Sequence, residues 1–179
     1  MINLTDQMRE MIDNALANGS PCILATASKD GEPDIGYKGS MMVFDNESLA
    51  YWERTRRQHL KNVQENPKVV VLFRDPKTRV NFRFHGVVTI HEKGAIRDQV
   101  MGRTVKDEID KDPERKGAAV VIRVDKVTNL GGRCCRVVSP LLSRVAHKVS
   151  GTYRLVRITL PILSPFICTT EAILCLPGS

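Results

Sequence analysis

Aromatic residues are scarce in this chain: nine of 179, with a single tryptophan. So few rings leave little with which to stack successive bases, which counts against a single-strand nucleic-acid binder. Long apolar runs are missing too. The most apolar segment, residues 158–170, has 13 uncharged residues broken by Pro161 and Pro165, short of the roughly 20 that a membrane-spanning helix needs. The opening residues, Met1-Ile2-Asn3-Leu4-Thr5-Asp6, have neither the basic start nor the apolar stretch of a secretory signal. A cytoplasmic location is therefore expected, with no membrane partner. Metal spacing is absent as well: Cys134 and Cys135 are adjacent, not a CxxC pair, and Cys168 and Cys175 have only His147 near them in the tail. Disulfides are not expected in that compartment. The fifth cysteine, Cys22, lies in an apolar run and reads as a core thiol.

The net charge of +7 is unevenly spread. Residues 131–179 hold six basic side chains against Glu171 alone, for +5, which leaves +2 for residues 1–130. The main domain is nearly neutral, so a broad nucleic-acid footprint is not indicated and any basic patch must be local.

Thr5 reads as an N-cap, with Met8, Met11, Ile12, Ala15 and Leu16 on one helical face and Gly19 as a stop. The period then shortens. Strands are predicted at 21–27, from 33 or 34 to about 44, at 49–53, 68–74, 79–91 and 118–127, with Asp30-Gly31 as a hairpin turn and Gly86 as a bulge or bend. One short helix, 57–65, follows the third strand and stops before Pro67. Helical turns are read at 95–100 and 105–109. Six strands joined mainly by hairpins, without long helices between them, predict a mainly β fold with flanking helices, a closed or nearly closed antiparallel barrel rather than a doubly wound sheet.

Chemistry concentrates in two segments. Lys38-Gly39-Ser40 places a charge, a close-approach glycine and a hydroxyl on one strand. Between Trp52 and Asn62, a strand ends in a basic corner and a helix begins. A helix N-terminus offers unpaired N–H groups and the positive end of the dipole, and Arg54, Arg56 and Arg57 add paired donors, which together suit a phosphate. From these residues alone, a phosphate corner and a merely solvated basic loop stand about level.

The order of elements adds to this. Residues 22–33 resemble the first hairpin of the flavin-mononucleotide (FMN) binding split barrel. Lys38-Gly39-Ser40 and Trp52-Glu53-Arg54-Thr55 with Gln58 and Asn62 are similar to short bacterial members of the pyridoxamine 5′-phosphate oxidase-like family. Residues 66–71 and 81–86 resemble that family's next two strands. The resemblance covers about residues 5–128, and its specificity lies in the joint spacing. It implies an antiparallel split β-barrel of about six strands and a homodimer with FMN in a groove at the interface. Lys38, Gly39 and Ser40 would face the isoalloxazine ring or ribityl chain. Arg54, Thr55, Arg57, Gln58 and His59 would surround the phosphate, and Asn62 would brace the phosphate loop. Trp52 would pack on the flavin or fill the barrel, and core packing is favoured for a lone strand tryptophan.

Two departures stand out. His59 takes a place where many relatives have a small hydroxyl residue or lysine. The C-terminal arginine-and-histidine substrate motif of true pyridoxamine 5′-phosphate oxidases is missing, which puts that activity in doubt and leaves flavin binding intact. No catalytic acid–base pair is evident, and His85 and His91 are given no role. The expected function is an FMN-dependent oxidoreductase acting on an unidentified small molecule. The competing reading is a flavin-carrying electron-transfer or storage module without a substrate pocket.

From about Leu130 acidic residues nearly vanish and prolines interrupt short apolar runs, and residues 154–158 are a candidate strand. This tail reads either as a membrane-touching or partner-binding extension or as a segment of non-native origin, such as a shifted reading frame. The second is preferred, because the family's short members end near residues 127–132.

Overall fold

Thr5 caps the first helix, α1 (Asp6–Asp13): its side chain accepts from the Met8 N–H at 3.2 Å. The helix proper ends at Asp13, and irregular turns carry the chain on to Gly19, which sits at φ +70°. Met8, Ile12 and Ala15 are buried as the periodicity requires. The structure is a computed structural model that describes residues 2–132 and, by backbone alone, two short strands at 146–149 and 152–155.

The strands after α1 are β1 (Cys22–Ala27), β2 (Pro33–Lys38), β3 (Met42–Val43) and β4 (Ser48–Glu53). Helix α2 (Gln58–Glu65) follows, then β5 (Lys68–Arg74) and β6 (Asn81–His91), helices α3 (Ala95–Arg103) and α4 (Lys106–Ile109), and β7 (Ala118–Thr128). All pair antiparallel in one seven-stranded sheet of order β2-β1-β5-β6-β7-β4-β3. The fold is thus mainly β with flanking helices, an antiparallel split β-barrel.

The strand predicted from 33 or 34 to 44 is divided in two, which raises the count from six to seven. Its halves lie at opposite edges of the sheet. The break falls where Ser40 turns its hydroxyl into the backbone of β4, accepting from Trp52 N–H at 3.1 Å and donating to the Trp52 carbonyl at 3.2 Å. Gly39 and Ser40 therefore form a strap between the two edges.

One core cluster draws Cys22 and Leu24 from β1, Val43 from β3, Leu49 and Tyr51 from β4, and side chains of β5, β6 and β7, with Met8 and Ile12 of α1 closing it. Strands from both halves share this core because the sheet curls, as twisted antiparallel sheets do. A smaller cluster, including Trp52, Val100 and Ala119, lies on the other face beneath α3. The bend read at Gly86 is present: register shifts between His85 and Gly86, with Asp125 of β7 as the extra residue.

The chain divides into two units, Met1–Ser139 and Pro140–Ser179. Within the second, β8 (Ala146–Val149) and β9 (Thr152–Leu155) form an antiparallel hairpin. Of the strand considered at 154–158, Arg154 and Leu155 belong to β9 and the remainder lies outside the described residues, as do the four tail cysteines.

Candidate functional site

Helix α2 begins with no side-chain cap: Arg57 stands at the N-cap position without a side-chain hydrogen bond to the helix. Its first N–H groups are thus turned to the corner that the sequence marks out. The loop before it is held in an unusual shape, with Arg56 at φ 51°.

The three arginines of this corner have different fates. Arg56 is turned away, its guanidinium forming two 2.8 Å bonds to Glu92. Arg54 lies 3.8 Å from Glu108 across its Nε. The exposed Arg57 has no hydrogen bond or ion pair from its side chain among the described residues. An arginine fork and uncapped amides are thus left together, a donor set that fits a phosphate.

Below the corner runs a chain of polar contacts. Gln58 Nε2 donates to Asn62 Oδ1 at 2.7 Å, and Asn62 Nδ2 donates to Thr26 Oγ1 at 3.0 Å. Thr26 Oγ1 in turn lies 3.3 Å from His59 Nδ1, and His59 Nε2 lies 3.7 Å from Asp34 Oδ2. Asn62, only 1% exposed, ties the helix to β1. His59 lies over Gly36, where a methyl group would come within 2.6 Å of Nε2. Burial, reinforced by the Lys38 charge, lowers the His59 pKa against the opposing pull of Asp34 and Glu53.

The strap side is organised by a residue the sequence reading passed over. Glu53, 1% exposed, forms an ion pair with Lys38 of β2. Its Oε1 also accepts from Thr55 N–H at 3.0 Å, the Thr55 hydroxyl at 2.6 Å and Arg56 N–H at 3.1 Å. Burial opposes its charge, but Lys38 and these hydrogen bonds outweigh it and hold the carboxyl below its usual range. The Lys38 ammonium also lies 4.8 Å from the centre of the Tyr51 ring. The one signal in the sequence was an acidic residue ending an otherwise uncharged strand, Ser-Leu-Ala-Tyr-Trp-Glu, beside a basic loop.

Gln58, His59 and Asn62 are joined through Thr26, and Lys38 and Thr55 through Glu53, while Arg54 and Arg57 lie in the same loop as Thr55. Two other expected residues are not open to this corner. The Ser40 hydroxyl is taken up by β4, and the space a Gly39 methyl would fill is occupied by Glu108, whose Oε1 would be 2.7 Å away. Trp52 is not brought to this corner. Side chains alternate along a strand, so Tyr51 and Glu53 face Lys38 while Trp52 faces the smaller core. Its Nε1 donates to Asp112 at 2.9 Å, Arg97 lies over its ring, and Gly117 packs against it. Among the described residues no group of three or more histidine, cysteine or carboxylate side chains could hold a metal, and no helix is long and apolar enough to cross a membrane.

The sequence profile of the pyridoxamine 5′-phosphate oxidase family matches residues 4–130, well over half of the chain. An uncharacterised protein of Methanocaldococcus jannaschii is 28% identical over 136 residues, 73% of this chain and 83% of that one. HupZ of Group A Streptococcus has a similar structure, with a TM-score of 0.60 at 27% identity over 73% of this chain and 97% of HupZ. An FMN-binding protein of Syntrophomonas wolfei shares the fold at 15% identity, TM-score 0.56, over 69% and 86% of the two chains. HutZ, the heme storage protein of Vibrio cholerae, shares it at 14% identity, TM-score 0.56, over 72% and 95%. The split barrel, its order of elements and the match along residues 4–130 make this chain a member of the pyridoxamine 5′-phosphate oxidase family.

Proposed function

We propose that this protein binds FMN, with the phosphate at the start of α2 and the ring beside the strap of residues 38–40, and acts as an oxidoreductase on a small molecule. The observation that carries the reading is the pairing of an uncapped helix N-terminus with Arg57, whose charge no described carboxylate neutralises. Family membership adds to it, since proteins of this fold include an FMN-binding one. Bound FMN would supply the redox chemistry. The chain's own residues would hold the phosphate through Arg57, the loop amides and His59, and present Lys38 as the nearest positive charge on the strap side. For the ring to lie against Gly39, the Glu108 side chain must swing aside, a rotamer change at a partly exposed residue.

A homodimer belongs to the same reading. On the outer face of the sheet, register aligns Ile35 with Ala25 and Val70, and Tyr37 with Ile23 and Leu72. Ile35 is 68% and Tyr37 73% exposed. Two apolar rows across three strands at a sheet edge form a contiguous patch of the kind that associating proteins cover, and a second copy is the proposed cover.

The test is the visible spectrum of the purified protein. A yellow protein that releases FMN on denaturation supports the reading. A colourless protein that ignores added FMN yet takes up haem or a deazaflavin overturns it.

A further inference from the structure

Glu53 joins Lys38 of β2, on a separate strand, to the loop leading to α2, and the Lys38 ammonium lies over the Tyr51 ring of β4. A carboxylate this buried is retained only if its charge is matched and its lone pairs are used, and here both conditions hold. One oxygen takes Lys38; the other takes three donors from Thr55 and Arg56. The loop's positive-φ residue, Arg56, is among those three, so the strained turn is pinned by the same carboxylate.

We propose that Glu53 is a positioning residue of the cofactor site, clasping the phosphate loop to the strap and masking the Lys38 charge that faces a bound flavin. The masking part rests on the FMN reading above; the clasp does not. Lys38 alone would favour the anionic reduced ring, but the Lys38–Glu53 pair carries no net charge. The bias toward reduced flavin is therefore set by how completely Glu53 cancels Lys38, and removing either partner must shift it in opposite directions.

Two readouts separate the parts. The first uses the full chain without added cofactor: limited trypsin digestion, read as the rate of cleavage after Arg54, Arg56 and Arg57. In a Glu53→Met/Lys38→Met double variant both charges leave together, which spares the fold an unpaired buried ion, while Thr55 and Arg56 lose their acceptor. Cleavage should be at least about tenfold faster than in the wild type, because the three hydrogen bonds that hold the loop lose their acceptor; an unchanged rate overturns the clasp. The second readout is the flavin midpoint potential of FMN-loaded protein. Glu53→Gln should move it positive and Lys38→Met negative, with the double variant returning close to wild type. Equal potentials in all four proteins overturn the masking. If the wild type binds no FMN, the proposed function and with it the masking fall, while the cleavage rates still decide the clasp.

Discussion

A methyl group on Gly86 would lie 2.3 Å from the Arg123 carbonyl oxygen, a backbone atom fixed by the sheet. Gly86→Ala should therefore destabilise the protein by about 1–3 kcal/mol, as overpacking of a closed site does. Urea unfolding would measure it, and an unchanged midpoint would mean that β7 yields at its bulge. His59 carries a different consequence. Its folded pKa lies below the ordinary 6.5, so as pH falls the unfolded chain takes up the proton first and stability declines. The decline starts near the ordinary value and is complete once pH is below the folded one. Carboxylates held low, such as Glu53, act only below the ordinary carboxylate range. Comparing urea midpoints at about pH 7.5 and about pH 5.5 thus reports histidines, His85 contributing in the same direction. His59→Gln should reduce the difference between the two, and a difference equal to the wild type's would remove His59 from the account.

At the scale of the element, α2 is short, eight residues, and its existence depends on more than propensity. Leu60 and Val63 bury its apolar side, while Asn62 ties it to Thr26 of β1. Its open N-terminus is the feature on which phosphate recognition turns. Arg57→Ala should weaken FMN binding by about tenfold to a hundredfold, the worth of hydrogen bonds to a charged group. Riboflavin, which has the ring without the phosphate, should bind both proteins equally. Titration of the two ligands by fluorescence quenching decides between phosphate contact and a general loss: equal weakening for both would place Arg57 outside the phosphate site.

For the whole molecule, the exposed rows around Ile35 and Tyr37 predict association. Tyr37→Glu should convert a dimer into a monomer in light scattering coupled to size exclusion, and a monomeric wild type would remove the homodimer from the proposal. Both described core clusters are built from residues 4–127. Truncation after Gly132 should accordingly leave folding and flavin binding unchanged; loss of folding would show that the tail contributes to the domain.

Much of this architecture is written locally. The Thr5 cap, the six predicted strand segments, the stop before Pro67 and the bend at Gly86 all follow from side-chain period and turn chemistry within a few residues. The family, too, is legible in the spacing of Lys38-Gly39-Ser40 and the loop into α2. What sequence by itself left open is which of these groups are available. Three arginines within four residues look alike on paper. Only the curl of the sheet brings Glu92 to Arg56 and Glu108 to Arg54 and leaves Arg57 without a described partner. The same curl sets Glu53 against Lys38, divides one expected strand between two edges, and turns Trp52 away from the corner it adjoins. These outcomes depend on pairings between residues far apart in the chain. Local preference determines the elements, whereas long-range packing decides which charges remain free to bind.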